Sequence, residues 1–359
     1  MPSRTWNGAT VPARTSRRRP LAVAAASAAA LALTLTACAS GDAGSEPEET
    51  SGAASGAFPV TIESALGEAV IEEAPERVVT LGWGSGDIAF SLGVTPVGVE
   101  EDAWGGDEDG YQPWLRDAIE QEGGELPTTI QMYPELDVET IVGLEPDLIL
   151  APQSGLEQDV FDQLSEFAPV VAYPGEPWQT PIEDQVRIAA EALGVPEKAD
   201  EVLAQREAAL TDAAAAHPEL AGTTFAYVYG GTPGTLSVYL PGDTRVSLLT
   251  GLGMELAPSV AGLTASEGTF AATLGLENAD QLADADVLFT WFNDEAEQQA
   301  TEAQPLWQQI PAFQRGSYLP MVDTTLGMAV SVASPLSIPW ALDAYVPQIA
   351  EAVAAVPAS

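Results

Sequence analysis

A short phrase of sequence occurs twice in this chain, and the repeat limits the folds that are open to it. The first copy contains Leu136, Val138, Glu139 and Leu144, and the second contains, 138 residues later, Leu274, Leu276, Glu277 and Leu282. Each copy has the spacing of an amphipathic helix and runs into a buried strand, at 147–151 and 286–291. A glutamate is favourable in any first helical turn, but the helix dipole does not explain why the whole phrase recurs. The repeat therefore predicts two α/β lobes of similar construction.

A long helical segment, Pro196–His217, lies between the two copies. Its apolar residues at helical spacing are Ala199, Val202, Leu203, Leu210, Ala213 and Ala214. Pro196 suits a first helical turn, Pro218 ends the helix, and a helix of this length spans about 30 Å. We therefore expect an α/β fold in which two Rossmann-like lobes, 58–195 and 218–359, are joined by a single long rigid helix at 196–217, with a ligand cleft between the lobes. The helix alone leaves open the alternative of an ordinary surface helix in one large domain.

Shorter patterns predict further elements of both lobes. Apolar runs typical of strands fall at 78–81, 97–99, 147–151 and 170–172 in the first lobe and at 225–229, 236–240 and 286–291 in the second. Thr180 and Glu183 match a capping box, which would open a helix that ends at Leu193. Ser334-Pro335 leads into a closing helix at 336–356.

The first 57 residues carry the signals of export. Four arginines between residues 14 and 19 precede the apolar run Leu21–Leu35, which is short for a membrane span and typical of a signal-peptide core. The run ends in Leu-Thr-Ala-Cys, which resembles a bacterial lipoprotein lipobox, and Cys38 is the one cysteine of the chain. We expect a lipoprotein signal peptide at 1–37, a lipidated Cys38, a flexible tether at 38–57, and a body held on the outer face of the cytoplasmic membrane. The alternative is an ordinary secreted protein with a chance cysteine.

The charge of the chain excludes some partners. Five of the twelve cations are arginines before residue 38, which leaves seven cations against 53 acidic residues and a net charge of −46 in the remainder. Such a surface repels nucleic acid and anionic lipid headgroups, so we expect neither as a partner. Solubility explains this acidity without an acid-specific function. The single cysteine also excludes an internal disulfide framework.

The strand at 78–81 is followed by a glycine-rich turn, Gly82–Asp87. Such a turn is able to cradle a phosphate, and Glu100 lies near the position of the ribose-binding acid in dinucleotide folds. The spacing here is G-x-G-x-G rather than G-x-G-x-x-G, and an exported protein has little access to NAD. The turn therefore favours a role in which it places Trp83 on the rim of the sheet, where ligands bind in open α/β folds.

Four further aromatic residues lie in the loop-rich region after this unit: Trp104, Tyr111, Trp114 and Tyr133. Each one alone favours packing in a small core. As a group they predict at least one aromatic ring that faces the cleft.

Phrases spread over nearly the whole mature chain carry a family resemblance. They are Glu76–Gly82, Leu92–Val99, Val138–Leu150, Ser165–Pro169, Leu276–Leu282 with Asp286–Leu288, and Ser334–Pro339. Together they resemble the substrate-binding proteins of iron–siderophore ABC importers, the helical-backbone class (class III) that also includes cobalamin and haem binders. The phrase around Glu-Pro-Asp-Leu-Ile, within the third stretch, is fairly specific to the class.

The resemblance implies that the protein captures a ferric siderophore outside the cytoplasm and delivers it to a permease, without catalysis and with no cofactor or directly bound metal. In relatives, one glutamate from each lobe engages arginine pockets on the two subunits of the permease dimer, and Glu139 and Glu277 stand at the matching positions. Clefts of this class are lined by aromatic residues and one or a few arginines. The candidates here are Trp83, Trp104, Tyr229, Arg245 and Trp291. The alternative for Arg245 is a surface salt bridge, and we expect the protein to be a monomer.

Other functions remain as alternatives. A cobalamin receptor would share both lobes and both glutamates and would differ only in the lining of the cleft. A haem receptor of the same fold would need an axial tyrosine, histidine or methionine. A direct zinc or manganese receptor is disfavoured because such sites draw on several histidines, and the chain has one, His217. An exported hydrolase is disfavoured because the chain has no G-x-S-x-G elbow and no well-placed general base. A cell-surface adhesion module would bind no small ligand.

Overall fold

Buried apolar segments alternate with helices along most of the chain, and this alternation builds two sheets. The structure is a computed structural model in which residues 58–266 and 270–357 are described. All of them belong to one compact unit. The expectations for the signal peptide at 1–37, for Cys38 and for the tether at 38–57 lie outside the described residues.

The strands are β1 (Val60–Glu63), β2 (Glu68–Ile71), β3 (Val78–Thr80), β4 (Gly98–Glu100), β5 (Thr128–Ile130), β6 (Leu148–Leu150), β7 (Val170–Val171), β8 (Thr224–Tyr229), β9 (Thr235–Tyr239), β10 (Glu255–Leu256), β11 (Ala271–Gly275), β12 (Val287–Trp291) and β13 (Tyr318–Met321).

The α-helices are α1 (Ser85–Ser91), α2 (Pro113–Gln121), α3 (Val138–Gly143), α4 (Gln158–Leu164), α5 (Ile182–Ala192), α6 (Ala199–Ala216), α7 (Thr244–Gly251), α8 (Pro258–Ala261), α9 (Glu295–Glu302), α10 (Pro311–Arg315), α11 (Thr324–Val332) and α12 (Ser337–Ala354). Short 3-10 helices occupy Pro196–Lys198, Pro218–Leu220, Leu276–Leu282 and Trp307–Gln309.

The first lobe contains a five-stranded sheet in which every pairing is parallel. The strand order is β5-β4-β3-β6-β7, so the chain starts in the centre, winds to one edge and then to the other. This is the order of a Rossmann-type sheet, whose ligands bind where the winding reverses, here between β3 and β6. Every residue of β3 and β6 is buried, as expected for strands covered by helices on both faces. A separate antiparallel hairpin, β1–β2, precedes the sheet.

The second lobe contains a six-stranded mixed sheet. The order is β11-β9-β8-β12-β13, with the short β10 also paired to β8. Strands β8, β10, β12 and β13 are parallel, whereas β9 and β11 pair in the antiparallel sense. The two lobes therefore share the α/β construction that the repeat predicts, while the second adds an antiparallel hairpin. The two copies of the repeated phrase also differ, since the first forms the α-helix α3 and the second a 3-10 helix at Leu276–Leu282.

The chain passes from the first sheet to the second through α5 and α6. Helix α6 is preceded and followed by 3-10 turns, and it buries Ala199, Val202 and Leu210. It also buries Arg206, whose Nε–H donates to the carbonyl oxygen of Ala333 at 2.8 Å. This arginine fixes α6 to the segment before α12, so the connecting helix is packed rather than free-standing.

The capping box predicted at the start of α5 is wrong. The helix begins at Ile182 after Pro181, and no side chain caps it. The hydroxyl of Thr180 instead donates to the carbonyl oxygen of Pro152 at 2.6 Å. Thr180 is buried, so its hydroxyl bonds to a neighbouring loop rather than to the end of its own helix.

One hydrophobic cluster extends across both lobes. Trp114 and Leu115 of α2, in the first lobe, belong to the same cluster as Leu326 and Val332 of α11 in the second. The C-terminal helix α12 packs on both α6 and α11. The lobes are therefore in contact through apolar side chains as well as through the connecting helix. Among the described residues, we find no helix with the length and apolarity that crossing a bilayer requires.

Candidate ligand-binding site

A cavity of about 500 Å³ lies between the two lobes. In the first lobe, most of the segments that line it follow the carboxyl ends of β3, β4, β5 and β6. In the second lobe, the lining comes from the end of β12, from the start of α7, from Phe270 and from α11. Parallel strands present their loops at this edge, which is where open α/β sheets bind ligands. The volume lies within the range of small-molecule sites, about 300–1,000 Å³.

The glycine-rich turn after β3 forms one wall. Gly82 has a φ of 78°, and a Cβ at this position would lie 2.4 Å from the carbonyl oxygen of Gln153, so only glycine fits. The N–H of Gly82 donates to Glu100 Oε2 at 2.7 Å, and the N–H of Trp83 donates to Gln153 O at 2.9 Å. These bonds hold Trp83 at the cavity, with its ring 5.3 Å from that of Trp178. The Glu100 carboxylate therefore stabilises the glycine-rich turn through this hydrogen bond.

A second aromatic group spans the cleft. Trp104, from the first lobe, makes an edge contact with Trp291, from the second, at a centroid distance of 5.3 Å. The indole N–H of Trp104 also donates to Asn293 Oδ1 at 3.0 Å. Asn293 is positioned in turn by Glu297, which accepts hydrogen bonds from its backbone N–H and its side-chain amide. The two lobes are therefore linked at the cavity by a ring contact and a hydrogen bond.

Tyr229 lies behind this group and is absent from the cavity lining. Its ring stacks on Trp291 at 4.2 Å, and its hydroxyl donates to Glu297 at 2.7 Å. The other edge of Trp291 is fixed because its indole N–H donates to Tyr239 Oη at 2.8 Å. Burial, together with the adjacent Glu297 carboxylate, raises the pKa of Tyr229 to about 12, so it remains a neutral donor. Tyr229 supports the ring of Trp291 rather than facing the cavity.

Arg245 lines the cavity but is neutralised there. Its Nε and Nη2 donate to the two carboxylate oxygens of Asp243, at 2.9 and 2.7 Å, and only 4% of each side chain is exposed. Its guanidinium also lies over the ring of Tyr239, 4.0 Å from the centroid. Burial alone would disfavour the charge, but the Asp243 carboxylate more than offsets it, and the pKa of Arg245 is raised. Arg245 forms a buried ion pair rather than the alternative of a surface salt bridge.

Acidic residues of the first lobe also line the cavity, namely Glu100, Glu101 and Asp102. Burial raises the pKa of Glu100 to about 7, with a smaller effect from the nearby Asp102. Burial also raises the pKa of Asp102, although the N–H groups of Trp104 and Gly105 donate to its carboxylate. This wall of the cavity is therefore acidic, and Glu100 and Asp102 keep their protons to a higher pH than exposed carboxyl groups do.

The structure places four of the five predicted ligand residues on the cavity: Trp83, Trp104, Arg245 and Trp291. Of the four aromatic residues in the region predicted to be rich in loops, Trp104 and Tyr133 line the cavity. Tyr111 and Trp114 do not line it and pack in the hydrophobic cluster instead. Sequence reasoning missed Gln153, Trp178, Phe270, Asn293 and Met328, which also line it. Trp178 has a φ of 62° in an irregular segment, so no periodic pattern marks it.

Two lobes around an aromatic cavity define a ligand-binding protein of the two-lobed kind. The family model described as periplasmic binding protein matches residues 78–318, and the chain belongs to this family. An achromobactin-binding periplasmic protein of Dickeya dadantii is 30% identical over 258 residues, which cover 67% of this chain and 76% of that protein. A putative ABC transporter substrate-binding lipoprotein of Bacillus subtilis, YhfQ, is 26% identical over 266 residues, 72% of this chain and 79% of that protein.

A solved structure supports the same assignment of fold. The Streptococcus pneumoniae protein PiaA in complex with ferrichrome aligns with a TM-score of 0.76 and 31% identity. The alignment covers 83% of this chain and 99% of that one. The two-lobed α/β architecture expected from the sequence is thus confirmed.

Proposed function

We propose that this protein is the extracytoplasmic receptor of an ABC importer, which binds a ferric siderophore in the cavity between its lobes and delivers it to a permease. The observation that carries the proposal is the cavity itself, which lies at the carboxyl ends of the strands and has indole rings from both lobes in its wall. Its role is binding without catalysis. A ferric siderophore is a compact chelate with a largely organic outer shell, and large aromatic faces suit such a surface.

The relatives support this class of ligand. Achromobactin is in the name of one, ferrichrome is bound in the solved structure of another, and an ABC transporter is in the name of a third. These ligands differ from one another, so the relatives support the ligand class and the transport role rather than one compound.

For delivery, we propose that Glu139 and Glu277 contact one permease subunit each. Both side chains are exposed, and both lie in the first turn of a helical element of their lobe. Asp137 caps the first of these helices through the N–H of Thr140 at 3.0 Å, so Glu139 is not needed as the cap. An exposed carboxylate that is free of such a role is available to an arginine of a partner, which it is able to bind in a bidentate manner.

The domain boundaries remain a proposal: a first lobe at 58–195, a connecting helix at 196–217 and a second lobe at 218–359. In support, the two sheets fall within these limits, and α6 lies between them along the chain.

We further propose that the packed helix α6 restricts opening of the cleft. Small-angle scattering with and without ligand tests this, and a large compaction on ligand addition would contradict it.

Membrane attachment through a lipid on Cys38 is the second part of the proposal. The support is the lipobox-like sequence that ends at this cysteine. In a bacterial host, the full chain should label with a radioactive fatty acid and sediment with membranes, whereas Cys38→Ser should do neither. Labelling of the serine variant would show that the lipid is attached elsewhere or that the label is not specific.

The direct test of ligand class is a titration of residues 58–359 while tryptophan emission is recorded. The panel contains ferrichrome, ferric desferrioxamine B, ferric enterobactin, ferric citrate, haem and cobalamin. Saturable quenching by a ferric siderophore at micromolar concentration or below is expected. Saturation by haem or cobalamin alone would retain the fold and replace the ligand, and no response to any of them would contradict a transport receptor of this kind.

A further inference from the structure

Every lysine and arginine among the described residues is engaged by the protein itself, and this restricts the charge of any ligand. Backbone carbonyl oxygens accept hydrogen bonds from Arg77, Lys198, Arg206 and Arg315. Carboxylates pair with Arg116, Arg187 and Arg245. These seven are all the lysines and arginines of the sequence beyond residue 37. The one histidine, His217, is paired with Glu219 and does not line the cavity.

Of the seven cations, Arg245 alone lines the cavity, and Asp243 cancels its charge. Both oxygens of the carboxylate are used in the pair, and the guanidinium is enclosed by the rings of Tyr239 and Phe270. A ligand anion would have to compete with a buried carboxylate that is already in bidentate contact. Breaking such a pair is strongly unfavourable because it leaves an uncompensated charge in the protein interior.

Among the described residues, the other charged side chains of the lining are acidic: Glu100, Glu101 and Asp102. Even with Glu100 protonated, the lining carries more negative than positive charge. An anionic ligand that left water for this cavity would lose its hydration and gain no unpaired cation. A neutral ligand avoids this penalty, and a cation gains from the carboxylates and from indole faces that attract positive charge.

The three common iron-binding groups give chelates of different net charge. Three hydroxamates, each with one negative charge, neutralise Fe³⁺, and an ammonium group on the same ligand makes the chelate cationic. Three catecholates carry two negative charges each and leave a trianion, and hydroxycarboxylate chelates are anionic as well. We propose that this cavity selects ferric chelates of zero or positive net charge, the charge class of the trihydroxamates, over anionic catecholate and hydroxycarboxylate chelates. The inference rests on the siderophore function proposed above.

The test varies charge while it keeps the iron-binding groups unchanged. Ferric desferrioxamine B carries a free ammonium group and a charge of +1, its N-acetyl derivative is neutral, and its N-succinyl derivative is −1. Ferrichrome extends the neutral class, and ferric enterobactin and ferric citrate extend the anionic one. Dissociation constants are measured for residues 58–359 at low salt and again in 1 M salt.

The N-succinyl chelate should bind about tenfold more weakly than the ammonium form, with the N-acetyl chelate between them. Salt at 1 M should reduce this difference. Equal or tighter binding of the anionic derivative, or saturation by enterobactin or citrate chelates alone, would overturn the charge inference and leave siderophore capture intact. Failure of every ferric chelate in the panel to bind would instead contradict the proposed function, and the charge inference with it.

Asp243→Asn provides a reversal test. Asparagine keeps the oxygen that caps α7 but removes the charge opposite Arg245, which leaves an unpaired cation at the cavity wall. The folded variant should shift the ratio of anionic to cationic affinity about tenfold toward the anion. Glu101→Gln should shift this ratio in the same direction without breaking the ion pair. This variant therefore tests the charge inference even if Asp243→Asn does not fold. Asp212→Asn, on the exposed face of α6, is the matched control. Unchanged ratios in both cavity variants would overturn the inference.

Discussion

The carboxylate of Asp87, in the first turn of α1, accepts a hydrogen bond from the hydroxyl of Ser334, which lies 247 residues later at the entrance to α12. The same carboxylate oxygen accepts the indole N–H of Trp114 from α2 at 2.7 Å. All three residues are buried. A polar cluster thus joins the lobes from within, beside the cross-lobe hydrophobic cluster, and the connecting helix is not their one point of attachment.

Asp87→Ala should destabilise the folded body substantially. The substitution leaves the hydroxyl of Ser334 and the indole N–H of Trp114 buried without their acceptor, and each such loss costs about 1–3 kcal/mol. Urea unfolding followed by circular dichroism should show a lower midpoint with an unchanged slope. The exposed Asp212→Ala is the control, and equal effects of the two substitutions would contradict a structural role for Asp87.

Buried acids should make the free energy of unfolding fall as the pH rises from about 4 to about 7. Burial raises the pKa of Asp87 to about 6 and that of Glu100 to about 7, so the folded state holds these protons more tightly than the unfolded state. The two groups contribute roughly 1–3 kcal/mol each to the free energy of unfolding. This contribution is fully present below the unfolded-state pKa values near 4 and is lost as the pH rises through the folded-state pKa values.

The measurement is urea unfolding at pH 5, 6, 7 and 8 at constant ionic strength. Asp87→Asn and Glu100→Gln should each flatten the curve because they remove one titrating group. Stability that rises between pH 5 and pH 8 in the wild type would show that these carboxyl groups are ionised at little cost in the folded protein.

Quenching of tryptophan emission by a ferric chelate should depend on particular indoles. Trp104 and Trp291 face each other across the cleft and line the cavity, whereas Trp340 is partly exposed near Trp114 and does not line it. Trp104→Phe and Trp291→Phe should each reduce the amplitude of quenching, and Trp340→Phe should leave it unchanged. Trp291→Ala should also weaken binding about tenfold or more, because a central aromatic anchor is lost. Quenching that disappears in Trp340→Phe alone would place the ligand elsewhere.

The double substitution Glu139→Ala with Glu277→Ala should abolish uptake of iron chelate by cells and leave the dissociation constant within about twofold of the wild type. Neither residue lines the cavity, and both are exposed. The matched control is Glu135→Ala with Asp280→Ala, two exposed acids a few residues away in the same lobes. Undiminished uptake by the first variant would refute its role in permease docking.

Local sequence patterns predicted much of the fold. The strands at Val78–Thr80, Leu148–Leu150 and Val287–Trp291 are buried apolar runs, and the long helix is bounded by prolines, so short-range periodicity and backbone chemistry suffice to place them. The hairpin β1–β2 and the short α2 were not predicted. Both segments are short and depend on neighbours that are distant along the chain: Ile62 and Ile71 belong to the same buried cluster as Val186 of α5, and Trp114 and Leu115 belong to the same cluster as Leu326 of α11.

The cavity was predicted less completely. Trp83 follows a predicted strand and Trp291 is the last residue of another, so the rule that ligands bind at the carboxyl ends of strands was enough to select them. Trp178 and Phe270 lie in irregular segments, where position along the chain gives no direction for the side chain. Tyr229 follows the same rule as Trp291 but is stacked behind it, because the two residues belong to adjacent strands, β8 and β12, and one ring covers the other.

The sequence by itself determined the α/β class, the repeat of its two halves and the number of cations available to the folded body, because these depend on composition and on contacts close along the chain. Only the tertiary structure decided how those charges are used. Asp243 and Arg245 are two residues apart in any conformation, but it is the aromatic wall of the second lobe that encloses the pair and excludes water from it. Asp87 and Ser334 meet solely because the two ends of the body pack together. Hydrogen bonding and ion pairing depend on distance in space and on desolvation, and folding sets both.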